Sequence, residues 1–184
     1  MAVAGHKIPR RVEQHGRKCY LFPTDTTGRE NCRKVVDEAV EVFGGHIDIL
    51  FNNAAFQTMV EDIKNLGEDQ WLHTFNTNIH PIFYLSKYAL KRGSVIINNA
   101  SINAYTGRPD LLDYTSTKGT IVGKGILVNA VAPEPVWTPL IPATMTNDAQ
   151  KYEIATCVVF LAAADSSCIS GQTIHCNGGT IVSG

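Results

Sequence analysis

Tyr114 and Lys118 stand four residues apart, a spacing that puts two side chains on one face of a helix. A phenol held beside an ammonium is a usable acid or base near neutral pH, because a neighbouring cation favours the phenolate. Taken alone the pair says little, since Tyr-x-x-x-Lys also describes an ordinary exposed helix face. Other polar positions add to it. Ser101 ends the apolar run SVIINNAS, thirteen residues before Tyr114. Asn78 lies within a helical pattern, in FNTNI, and Asn52 and Asn53 close the run IDILFNN. Polar groups at the ends of buried strands are expected in a site and are costly elsewhere unless satisfied.

The elements that must hold these residues alternate along the chain. Cys19 to Phe22 (CYLF) reads as a short strand, and Thr27-Gly28-Arg29-Glu30 as a capping box opening a helix. Val35, Val36, Ala39, Val40 and Phe43 then recur at helical spacing until Gly44 and Gly45 stop it. IDILFNNAA is a buried strand running into a small-residue turn. Glu68 to about Arg92 is a long helix bent at Pro81. SVIINNAS is a second buried strand, a helix begins near Asp113, and GILVNAVAP is a third strand. Lys151 to Ala164 is an apolar helix, and GQTIHCNGG carries the last strand. Near-continuous apolar strands imply burial on both faces, hence an α/β fold with a parallel sheet between helices. Ligands bind such sheets at the carboxyl ends of the strands, which here means Asp25, Asn52 to Ala55, Ser101, and Pro133 onward.

With 184 residues the chain makes one domain, residues 1–184, with 1–11 expected to be irregular. Hydrophobic residues make up 44% and the net charge is −1, so nothing favours a nucleic-acid partner. No apolar run is long enough to span a bilayer, and a cytoplasmic protein with no membrane partner is expected. The five cysteines form no CxxC and are odd in number, which reads as reduced thiols. Histidine spacing offers no metal site. Asn99-Ala100-Ser101 matches a glycosylation sequon but ends an apolar strand, so it is discounted.

As a set, NNAA (52–55), the helix asparagine, the Ser-x12-Tyr-x3-Lys spacing, LVNAVAPE and the GQ…NGG tail resemble the short-chain dehydrogenase/reductase family. The likeness runs from about Val12 to near the end, and PVWTPLIPA resembles its glucose/ribitol dehydrogenase-like subgroup. The resemblance implies a Rossmann-like, doubly wound parallel sheet and an enzyme that moves a hydride between NAD or NADP and a carbonyl or alcohol: a sugar, polyol or small carbonyl compound. It implies that Tyr114 exchanges the proton. Lys118 would lower the Tyr114 pKa from its usual ~10 and hold the nicotinamide ribose. Ser101 would orient the reacting oxygen. Asn78 would hold a water linking Lys118 to solvent. Asn52 and Ala54 would line the adenosine ribose, Asp25 the adenine, Pro133 the nicotinamide, and Thr138 the carboxamide. Structural roles stand beside these: Asn52 as an amide bridging strands, Asp25 as a turn or cap residue.

The chain also departs from that family. The glycine-rich Thr-Gly-x-x-x-Gly-x-Gly turn, which brings backbone N–H groups to the pyrophosphate, is absent, and with it the first β-α-β unit. Only GTIVGK separates Lys118 from Gly125, so a helix from Asp113 to about Gly123 barely reaches the ~10–12 residues that a parallel crossover needs. That shortening weakens a helix the family uses to pack subunits, so a homo-oligomer is expected only in weakened form. Further shortening lies near Leu90 to Gly93 and after Met145, and Glu134 stands where a glycine usually follows the proline. Two readings therefore stay open: an oxidoreductase, or a catalytically inactive remnant or interaction protein that binds no cofactor.

Overall fold

A computed structural model describes residues 7–89, 94–106, 109–120, 128–134 and 149–179. Among these the sheet has four strands in the order β1 (Ile49–Asn52), β2 (Val95–Asn99), β3 (Val128–Val131) and β4 (Thr173–Ile174), all parallel. The α/β architecture expected from the sequence is present. Ile49 pairs with Val95 and Phe51 with Ile97. Ile97 pairs in turn with Asn129, and Asn99 with Val131.

Seven α-helices fill the described connections: α1 (Lys7–Gln14), α2 (Arg29–Val42), α3 (Glu68–Asn78), α4 (His80–Ala89), α5 (Asn103–Thr106), α6 (Leu112–Thr120) and α7 (Ala149–Ala162). The helix α2 buries Cys32 and Val36, one turn apart, and packs on α4. The break expected at Pro81 falls between α3 and α4. Ile79 has φ −116° and closes α3 by donating to the Phe75 carbonyl. Pro81 then occupies the first turn of α4, where its missing N–H costs nothing. On the other side of the core, α7 packs on β2 and β3, with Leu161 against Ile97 and Val131.

The glycine pair after α2 stops the helix as its sequence implies. Gly44 and Gly45 have φ of 83° and 103°, and the Gly45 N–H donates to the Val40 carbonyl at 2.8 Å. A Cβ at Gly45 would touch nothing within 4 Å, so the backbone alone sets its cost. Gly45→Ala is expected to lower stability by about 1–2 kcal/mol, read as a lower urea midpoint at unchanged slope.

Four expectations need correction. Cys19 to Phe22 is not a strand: residues 17–25 take no regular structure, and Tyr20 and Leu21 are exposed. A four-residue apolar segment gains nothing from extension without a strand beside it, and the sheet begins at β1. β1 is not buried on both faces, since Ile49 and Phe51 are 46% and 41% exposed at that edge. Phe43 also lies outside the α2 core, stacked edge-on with Tyr20 at 5.6 Å. Residues 7–11 are helical rather than irregular, because Pro9 sits in the first turn of α1 where it is tolerated. Thr138, the GTIVGK connection beyond Thr120, and residues 90–93 lie outside the described residues.

Candidate active site

Two rows of polar side chains join α3 to α6. Gln70, Thr74 and Asn78 recur every fourth residue along α3, so they share a face. Asp113 and Thr117 do the same on α6. The Asp113 carboxylate, 1% exposed, accepts from the Thr74 hydroxyl at 2.6 Å and the Gln70 amide at 3.2 Å. Its other oxygen accepts from the Tyr114 N–H at 2.8 Å. Asn78 donates to the Thr117 hydroxyl at 3.0 Å, and that hydroxyl donates to the Tyr114 carbonyl at 2.7 Å. Each buried polar group thus finds a partner, which burial demands, and α6 is fixed in rotation about its axis.

That fixed rotation aims the neighbouring row of α6, Tyr114 and Lys118, at the end of β2. Tyr114, Lys118, Ser101 and Asn78 are all buried. The Tyr114 phenol lies beside Ser101, whose hydroxyl accepts from the Asn103 N–H at 3.2 Å. Ser101 lies two residues beyond β2, and the Ile102 N–H ties that segment to the Pro133 carbonyl beyond β3. The Lys118 ammonium lies 5.5 Å from the Tyr114 ring centroid and donates to the Asn99 main-chain carbonyl at 2.5 Å. Burial pushes the Tyr114 phenol above its ordinary pKa, with the Ser101 hydroxyl pulling the other way. Burial also pulls Lys118 down from 10.5 to about 8. The expectation that Lys118 lowers the Tyr114 pKa is therefore corrected: desolvation, which disfavours both charged forms, sets the direction of both shifts.

Beside this cluster the first two strands end in an amide ladder. Asn52 donates to Asn98 at 2.9 Å, and Asn99 to Asn53 at 2.8 Å. Asn52 does bridge strands, yet its buried Oδ1 has no hydrogen-bond partner, and neither has the buried Oδ1 of Asn99. Two orphaned acceptors at strand ends are a cost that a ligand's hydroxyl or amide donors would remove. Asn78 also grips the segment after β1, accepting from the Phe56 N–H at 2.7 Å and donating to its carbonyl at 3.0 Å.

A family model described as enoyl-(acyl carrier protein) reductase matches residues 3–180. The glucose and ribitol dehydrogenase of Daucus carota is 48% identical over 183 residues, which cover 84% of this chain and 62% of that one. The chain belongs to the short-chain dehydrogenase/reductase family of NAD(P)-dependent oxidoreductases. The chloroplastic NADPH-dependent aldehyde reductase 1 of Arabidopsis thaliana is 44% identical over 190 residues, covering 88% of this chain and 66% of its own length. The solved structure of a short-chain dehydrogenase/reductase mutant from Serratia marcescens superposes with a TM-score of 0.85 at 26% identity, covering 97% and 83% of the two chains. This member of the family spans between 62% and 70% of the curated relatives it matches.

Of the residues singled out in this short-chain dehydrogenase/reductase sequence, the fold brings Ser101, Tyr114, Lys118 and Asn78 together. Pro133 is half-buried and tied to the Ser101 segment. Ala54 is exposed just past β1. Asp25 stands apart, exposed, as a turn residue whose carboxylate accepts from the Thr27 N–H at 2.9 Å ahead of α2. That hydrogen bond, with a smaller pull from His73, holds its pKa below the usual carboxylate value. Sequence reasoning overlooked Gln70, Thr74, Asp113 and Thr117. Their signal was present: polar residues four apart on each helix, with Asp113 and Thr117 each directly preceding a residue of the reactive pair. An apolar groove lined by Ile63, Leu66, Trp71, Leu72 and Leu112 contains none of the four clustered residues.

Proposed function

We propose that Tyr114 is the general acid and base of an oxidoreductase acting on a carbonyl or alcohol carbon. The observation that carries this reading is the buried Tyr114 phenol beside Ser101, with the Lys118 ammonium 5.5 Å from its ring centroid. In the reducing direction Tyr114 gives its proton to the forming alkoxide, and in the oxidising direction it takes the alcohol proton. Ser101 orients the reacting oxygen by a hydrogen bond. Lys118 supplies positive charge next to the phenolate and is proposed to hold the nicotinamide ribose. Asn78 is proposed to steady both α6 and the water that relays protons from solvent to Lys118.

NAD(P), when bound, supplies or accepts the hydride. Unpaired acceptors suit its sugar hydroxyls: the orphaned Asn99 oxygen, and the orphaned Asn52 oxygen on the adenosine-ribose side. Pro133 and Thr138 are proposed beside the nicotinamide, and Ala54 and Asp25 on the adenosine side. Sugars, polyols and small aldehydes are the proposed substrates, after the names of the carrot and Arabidopsis relatives.

A second reading, a non-catalytic protein, is favoured by one feature: no glycine-rich phosphate turn occurs anywhere in the sequence. Melting with saturating NADH or NADPH separates the two. The catalytic reading expects one nucleotide to raise Tm, by the equivalent of about 2.7 kcal/mol at a hundredfold excess over Kd. A transition indifferent to both would leave the non-catalytic reading.

A further inference from the structure

Among the described residues the sheet has one long open edge, β1, and one short edge, β4, of two residues. The apolar run of β1 (ILF, then Asn52) carries no lysine, no proline and no bulge, the usual protections of an edge strand. Its outer residues, Ile49 and Phe51, lie on the face that carries Val95 and Ile97 in the next strand. There α7 packs on β2 and β3, while Ile49 and Phe51 stay 46% and 41% exposed. An open row of N–H and C=O groups thus coincides with a bare apolar face.

We propose that β1 pairs antiparallel with β1 of a second copy of this chain, about a two-fold axis perpendicular to the sheet. An edge of this kind accepts only an extended backbone, and this one is complementary to itself. In the register centred on Leu50, each Phe51 faces Ile49 of the other copy. That is an aromatic–β-branched pair of the sort that stabilises strand pairing, made twice by symmetry. The two bare faces join on one side of an eight-stranded sheet with an α7 beyond each. Asp48 falls opposite Asn52, so no like charges meet. The contact closes on itself because it uses the same patch from both copies, and the two-residue β4 edge is too short to extend the sheet further. This surface needs no nucleotide, and of the proposed cofactor residues it takes in only Asn52, through its backbone.

Sedimentation equilibrium of the purified chain, across a dilution series, is the test, combined with hydrogen exchange of the peptide spanning 49–52. The expected result is a species of twice the 20.1 kDa chain mass that does not grow further, with exchange in 49–52 slowing as concentration rises. Phe51→Lys is expected to weaken the dimer about tenfold or more, since it removes both aromatic pairs and sets two cations at the seam. Leu72→Glu, on the exposed face of α3, is expected to leave it unchanged. A strictly monomeric chain would overturn the proposal. So would a dimer untouched by Phe51→Lys, one broken by Leu72→Glu, or open-ended polymers. If Phe51→Lys does not fold, wild-type exchange decides: protection of 49–52 that ignores concentration overturns it.

Discussion

Tyr114→Phe is expected to lower NAD(P)-linked turnover by ~10²–10⁴-fold, the range that a positioned general acid or base contributes. The substitution is nearly isosteric in a site where Tyr114 is 8% exposed, so packing is kept. What is lost is the phenol oxygen and its contact with Ser101, a loss of no more than about 1 kcal/mol of stability. Asp113 and Thr117, which the α3 row holds, bond to the backbone of Tyr114 rather than to its ring, so α6 should stay where it is. The loss belongs in kcat more than in KM, because the proton moves only on the way to the transition state. Steady-state kinetics on a panel of sugars, polyols and aldehydes, beside an unfolding curve of the same preparation, gives both numbers. Activity that survives the change would remove Tyr114 from the mechanism, whatever the substrate.

Much of this was legible from residues alone, for identifiable reasons. Helices with an apolar stripe and a stop, such as α2 with Gly44 and Gly45, announce themselves locally, because spacing and positive φ are properties of a few neighbouring residues. The strands β2 and β3 were equally plain, being mostly apolar runs, β2 ending in a pair of asparagines. The failures share a physical cause. CYLF has the composition of a strand, but a strand exists only with a neighbour, and the neighbour is not written in those four residues. The burial of β1 was misjudged for the same reason: Ile49 and Phe51 are apolar enough for a core, and what leaves them exposed is that no strand among the described residues lies beyond them.

The site divides the same way. Ser101, Tyr114 and Lys118 were recognisable because their chemistry fixes their types and spacing. Asp113 and Thr74 were not, since an acid on one helix and a hydroxyl on another show no relation until the helices are packed, with their side chains 2.6 Å apart. The direction of the pKa shifts was hidden too. Proximity of Tyr114 to Lys118 suggested a lowered phenol, whereas the depth of burial, a property of the whole fold, sets the sign.

That burial gives Lys118 a second consequence, visible without any substrate. An unfolded Lys118 keeps its proton up to the usual 10.5, whereas the folded one loses it near 8. Between these values the unfolded chain carries more protons, so stability contributed through Lys118 rises as pH rises from about 8 toward 10.5 and is lowest below 8. The gap corresponds to about 3 kcal/mol. Other groups titrate in the same range with the opposite sign. Cys176, raised by burial from 9.0 to about 12, and Tyr114, raised above 10.0, both keep protons in the folded state that the unfolded state releases, which lowers stability at high pH. The difference between wild type and Lys118→Met isolates the lysine. Met fills the same space without charge, and it also leaves the Asn99 carbonyl without its donor, a cost of ~1–3 kcal/mol that does not vary with pH. Near pH 7 these two effects oppose each other, so the variant's stability there is uninformative. The pH dependence is decisive: the stability of Lys118→Met relative to wild type should fall steadily from pH 8 to pH 10. Urea unfolding of both proteins across that range measures it, and parallel curves would mean that Lys118 ionises as freely in the folded protein as in the unfolded chain.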